Sequence, residues 1–273
     1  MGYLSPPEAA VEVVETGKRK VKMKTMPVFI LGILAGVYIG FGAQLFTVVT
    51  SDLSKYFGCG FSKFIGGSVF TVGLMLVVIA GAELFTGNCL IFASVLTGDV
   101  KTGEMLKNWF IVYIANFIGS VLLAGMIYLS GQWKINDMGV GIAAVSTAVS
   151  KINLSFSEAF YRGIACNWLV CLAVVLAMAG KDIVSKIFGI YFPIMAFVAS
   201  GFEHSVANMY FIPVGIFLKQ NMMLVNSMNI SLDKLTWGNF IFHNLIPVTF
   251  GNIVGGAIFV AAAYYFAYVR KNT

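Results

Sequence analysis

"GAELFTGN" (residues 81–88) and "GFEHSVAN" (201–208) both read G-x-E-x-x-x-x-N, and each interrupts a long apolar stretch. A helix breaks at membrane depth only where protein or a water-filled cavity receives the freed backbone groups. Gly81, Gly87 and Gly201 permit the sharp change of chain direction that such a break needs. Glu83 and Glu203 are too costly to face lipid and are predicted to point inward. Their expected role is to accept hydrogen bonds from backbone amides released at each break, with direct contact to a permeant as the alternative. Asn88 and Asn208 are expected to tie the same loops down.

The rest of the chain has the composition of a membrane protein. Of 273 residues, 59% are hydrophobic and 11% charged, where a soluble chain carries roughly 25% charged residues. Six apolar stretches reach crossing length, near 27–50, 62–97, 109–130, 157–180, 184–217 and 240–268, the second and fifth interrupted. Basic residues gather at the ends of these stretches, with Lys18, Arg19, Lys20, Lys22 and Lys24 before the first and Arg270 and Lys271 after the last. Beside a span this is a topology signal rather than a nucleic-acid patch. Placing both termini in the cytoplasm puts eleven Lys and Arg inside and seven outside. The chain therefore divides into a cytoplasmic segment, 1–24, with a helix start at Pro6-Pro7, and a six-helix pore domain, 25–273. A late first apolar run of full crossing length predicts no cleavable leader. Cys59, Cys89, Cys166 and Cys171 lack metal-ligand spacing, so neither a metal nor another cofactor is expected.

The two halves match in order. "FILGILAG" (29–36) aligns with "FYRGIACN" (160–167), the opening pair aligns with itself, and "ANFIGSVLLA" (115–124) aligns with "GNIVGGAIFV" (251–260). Three crossings per half is an odd number, so the second copy is inverted, an architecture of transporters and channels. The fold class is an all-α membrane protein built from two inverted three-helix repeats. His204 breaks the symmetry, because the matched position holds Leu84. A titratable group needed in one half only could offer a proton or an N–H to a passing anion; a hydrogen-bonded core histidine is the alternative. His243 sits near the outer edge of the sixth crossing and reads as interfacial. Lys151, in what reads as a polar outer loop, is on composition alone a solvated charge.

"IAGAELFTG" (79–87), "GIACNWLVCLA" (163–173), "GFEHSVANM" (201–209) and "PVTFGNIVGG" (247–256) resemble, in order, segments of the formate/nitrite transporter family. The resemblance covers roughly residues 5–268 and implies an aquaporin-like protomer in a homopentamer, in the inner membrane and in contact with lipid. It implies passage of a small monovalent anion or its acid: formate, nitrite or hydrosulfide. It further implies that Thr86 and His204 face one another in the pore, with Asn167 as amide donor beside Val170. Phe70, Leu74, Leu84 and Phe197 match the residues of two apolar constrictions, and Lys151 becomes a vestibule lysine that attracts the anion. A water or glycerol pore is disfavoured because the paired N-P-A motif is missing. The membrane anchor of a redox enzyme would need haem-ligating histidine pairs, and the two histidines are scattered.

Overall fold

The computed structural model describes residues 2–270, which are helical apart from connections and one isolated pairing of Tyr3 with Gly180. Helix α1 spans Pro6–Lys22. Among the described residues, five helices are long and apolar enough to cross a membrane: α2 Thr25–Thr50, α3 Leu53–Gly81, α5 Thr102–Ser130, α7 Phe156–Ala179 and α10 Trp237–Val269. Four shorter apolar helices complete the body: α4 Phe85–Leu96, α6 Gly139–Ile152, α8 Ile183–Ala199 and α9 Ser205–Leu218.

Both interruptions fall in the quoted motifs. Gly81 (φ 90°) ends α3 and Gly201 (φ 73°) lies just past the end of α8, a left-handed conformation that a side chain would strain. The chain then runs extended through Leu84 and through His204 before α4 and α9 begin.

The helices around these breaks pack backbone to backbone. A Cβ on Gly36 would overlap the Asn116 carbonyl, and one on Gly119 that of Ile33, which locks α2 to α5. In the other half a Cβ on Gly251 would meet the Phe160 carbonyl, and one on Gly255 that of Ile164, locking α10 to α7. Small residues permit this approach where no hydrophobic force draws helices together in lipid.

Helix α1 is docked rather than lying loose on the surface. Ala9, Ala10, Val13, Val14 and Gly17 are buried, the Ser94 hydroxyl donates to the Val14 carbonyl at 2.7 Å, and Leu4 N–H donates to the Ala179 carbonyl at 2.9 Å. The segment before Lys151 departs from its sequence reading as a polar loop. It is helix α6, whose Val140, Ala144, Val145, Ala148 and Ile152 recur at helical spacing and are buried.

Candidate functional site

The two breaks are held by the same set of hydrogen bonds. In the first half Asn116 Nδ2 donates to the carbonyls of Gly32 and Glu83 (2.7 and 2.9 Å), and Phe85 N–H donates to Asn116 Oδ1 (2.9 Å). In the second, Asn252 Nδ2 donates to the carbonyls of Gly163 and Glu203 (2.8 and 3.0 Å), and Ser205 N–H donates to Asn252 Oδ1 (2.9 Å). Glu83 N–H reaches the Leu31 carbonyl and Glu203 N–H that of Arg162, both at 3.2 Å. The groups freed by each break are thus satisfied by a neighbouring helix and one asparagine, as buried backbone polar groups require.

This corrects the role expected of the two carboxylates, which take no backbone amide among the described residues. Glu83 accepts from Lys20 Nζ (2.6 Å) and Asn88 Nδ2 (2.8 Å). Glu203 accepts from Lys151 Nζ (2.8 Å) and Asn208 Nδ2 (2.7 Å). An ionised carboxylate is better matched by an ammonium than by a neutral amide. Asn88 passes its second N–H to Asn108 Oδ1, and Asn208 passes its second to Asn244 Oδ1. Lys20, Asn108 and Asn244 were not singled out from sequence, and Asn116 and Asn252 were seen only as matched residues.

The Lys151–Glu203 pair is largely buried, with side chains 15% and 5% exposed. Removing one member of a buried pair strands the other charge. Lys151→Gln is therefore expected to destabilise the protein by about 3 kcal/mol, and adding Glu203→Gln should restore most of that loss. Denaturant unfolding of both single variants and the double variant in detergent measures the cycle.

Thr86 and His204 meet at the junction of the two breaks, Thr86 Oγ1 to His204 Nε2 at 2.8 Å, both residues buried. Ala207 N–H donates to His204 Nδ1 at 3.0 Å, so that nitrogen carries a lone pair and the neutral ring keeps its proton on Nε2. Nε2–H then donates to the Thr86 oxygen and leaves the threonine O–H free for another acceptor. Asn167 does not present its amide as expected. Both its N–H groups are consumed, by the carbonyls of Thr86 (3.1 Å) and Asn252 (2.6 Å), and Cys171 Sγ also lies 3.4 Å from the Thr86 carbonyl. Val170 is buried nearly one turn further along α7.

Two cavities lie near this pair: His204 lines one, and Leu84 and Gly87, close neighbours of Thr86 in sequence, line the other. One, of about 110 Å³, is lined by Phe70, Phe197, Lys151, Glu203 and His204 among others. The other, of about 160 Å³, is lined by Leu74, Leu84, Val77 and Lys20 among others. Phe70 and Phe197 meet edge to face at 5.8 Å, and Phe197 stacks on the His204 ring at 6.0 Å. Lys151 Nζ lies 5.3 Å from the centre of the Phe211 ring. The lining of both cavities is mostly apolar, and each includes one lysine, Lys151 in the first and Lys20 in the second.

The formate/nitrite transporter family model matches residues 7–266. A probable formate transporter of Methanothermobacter thermautotrophicus is 42% identical, over 98% of this chain and 98% of its own length. The formate channel FocA of Escherichia coli strain K12 is 37% identical, over 98% of this chain and 96% of its own. Among solved structures, a pentameric formate channel with formate bound matches with a TM-score of 0.81 at 36% identity, over 90% of this chain and 98% of that one. An FNT family ion channel matches equally well, with a TM-score of 0.81 at 28% identity. These relatives are transporters and channels, not enzymes, and their likeness runs through the helices that carry the two breaks, so this chain, a multi-spanning membrane protein, belongs to the formate/nitrite transporter family.

Proposed function

We propose that this chain forms a passage for small monovalent anions or their conjugate acids, with formate the foremost substrate and nitrite and hydrosulfide handled by the same route. The observation that carries this reading is the Thr86–His204 pair, near two cavities that each include a lysine in their lining. The names of the relatives favour formate among the three. Phe70 and Phe197 form one constriction and Leu74 and Leu84 the other; a charge in such a ring is expensive, so hydrated ions are refused.

The anion enters a vestibule where Lys151 or Lys20 raises its local concentration. Each lysine is shared with a glutamate, so the attraction is moderate and the anion is not trapped. The anion then takes the free O–H of Thr86, which His204 Nε2–H polarises. Because Ala207 holds Nδ1, outright loss of the Nε2 proton would leave an imidazolate. In this reading His204 acts as a hydrogen-bond donor, and the proton that neutralises the anion arrives as hydronium through the vestibule, so that water is all that remains. The neutral acid crosses the apolar rings.

The recurring staples support two inverted three-helix repeats of aquaporin-like layout, with the two halves of a broken fifth crossing supplied by α8 and α9. The basic termini place both chain ends in the cytoplasm of an inner-membrane protein by the positive-inside rule, and α1 serves as a cytoplasmic cover on the pore domain. The pentameric state of the solved neighbour supports a homopentamer with one passage in each protomer.

Reconstituted protein should admit formate faster than nitrite or hydrosulfide, and far faster than glycerol, when flux into liposomes is followed side by side. Rapid glycerol-driven swelling without formate entry would replace this reading with a neutral-solute pore.

A further inference from the structure

Beside the α1 side of the passage lies another cavity, of about 150 Å³, lined in part by Lys20, Thr25, Glu104, Lys107 and Asn108. Lys20 also lines the cavity beside Leu74 and Leu84, whereas the other four residues do not.

Comparison of the two halves shows what is unusual here. Asn244 accepts from Asn208 and donates its own amide to the Lys151 carbonyl at 2.9 Å. Asn108, at the matching place, accepts from Asn88 at 2.8 Å, yet its Nδ2 donates to nothing among the described residues, although Asn108 is only 5% exposed. The equivalent carbonyl, that of Lys20, is occupied by Met23 N–H where α1 ends. Asn108 lines this cavity, so its Nδ2 is left as a donor that a ligand or water in the cavity can take.

Most of the polar groups around it are donors, Glu104 being the exception. Lys107 makes no ion pair among the described residues, even with Glu104 one turn away on α5. Glu104 is turned back on the start of its own helix, where it accepts from Lys101 N–H at 2.8 Å. Helix α2 begins at Thr25 with no side-chain cap and no acidic residue in its first turn, and such an end favours anions. Val21, Val28 and Ile111 close one wall, as suits a ligand at the boundary of lipid and water.

We propose that this cavity binds a phosphate-type oxyanion, either the headgroup of an anionic lipid or free phosphate, through Asn108 Nδ2, Lys107 and the start of α2. Lys20 borders both cavities and is paired with Glu83. An anion in the side cavity competes with Glu83 for that ammonium and so tunes the charge at the passage mouth. The proposal does not depend on which anion is conducted.

Inorganic phosphate is titrated into the full-length protein held in phosphatidylcholine nanodiscs, with heat of binding as the readout. In a second arm, native mass spectrometry counts phosphatidylglycerol retained from mixed nanodiscs. Saturable binding in the first arm identifies free phosphate as the ligand; retention in the second alone identifies a headgroup. In either case Lys107→Gln and Asn108→Asp, which keeps the acceptor for Asn88 but removes the donor, should each weaken binding by at least about tenfold. Lys134→Gln, far along the chain and absent from the cavity wall, should leave it unchanged. No binding in either arm, or binding indifferent to Lys107→Gln, overturns the proposal; the lysine variant also serves should Asn108→Asp fail to fold.

Discussion

His204→Phe should lower formate flux by about ten- to a hundredfold, the loss of the buried hydrogen bond that orients the Thr86 hydroxyl. Phenylalanine fills a similar volume and stacks as readily against Phe197, so the protein should still fold. What disappears is the Nε2–H that fixes and polarises the Thr86 hydroxyl. The shape of the pH profile discriminates between two roles. With the proton arriving as hydronium through the vestibule, flux should still rise toward acid pH, at a lower level throughout. A variant that has lost its acid-side rise would show that the imidazole itself handed over the proton, and a variant with undiminished flux would remove His204 from the passage altogether. Formate uptake by proteoliposomes between pH 5 and 8 reads both.

Asn252→Ala is expected to be the most destabilising single change in the protein, by about 3 kcal/mol or more. Its side chain satisfies the carbonyls of Gly163 and Glu203 and the amide of Ser205, and its carbonyl receives Asn167. Alanine leaves the Glu203 carbonyl and the Ser205 amide, both in buried residues, without their side-chain partner, each costing about 1–3 kcal/mol. It also frees the loop that carries His204, so flux should fall along with stability. Asn116→Ala should cost a comparable amount by the same reasoning. Unfolding in detergent, compared with the wild type, measures both; a loss below about 1 kcal/mol at either site would mean that the breaks relax onto other partners.

The sequence placed both breaks correctly, because a glycine at positive φ followed by an inward carboxylate is a local requirement visible in one dimension. The apposition of Thr86 and His204 was legible only through family resemblance, since it joins residues from opposite halves. The partners of Glu83 and Glu203 were misread because a carboxylate's neighbours are set by packing. A signal for them was nevertheless present. Lys20 and Lys151 each stand twelve residues before a matched glycine, Gly32 and Gly163. Asn108 and Asn244 each stand eight residues before a matched asparagine, Asn116 and Asn252. Extending the repeat alignment beyond the apolar cores would have reached all four. Asn167 was misjudged for another reason: its donors are spent on the carbonyls of Thr86 and Asn252 from two other helices, and spacing along α7 does not reveal that. Lys151 was misplaced in a loop because α6 is short and only one of its faces is apolar.

The paired staples have a consequence for how such a passage can change its cargo. The joints that hold each bend, Asn116 with Asn88 and Asn252 with Asn208, are alike on both sides, whereas the side chains projecting between them differ: leucine opposes histidine at 84 and 204, and threonine opposes valine at 86 and 206. Skeleton and lining are thus separately editable. A few exchanges along the proposed inner wall can retune what passes while the joints that hold the two bends stay untouched.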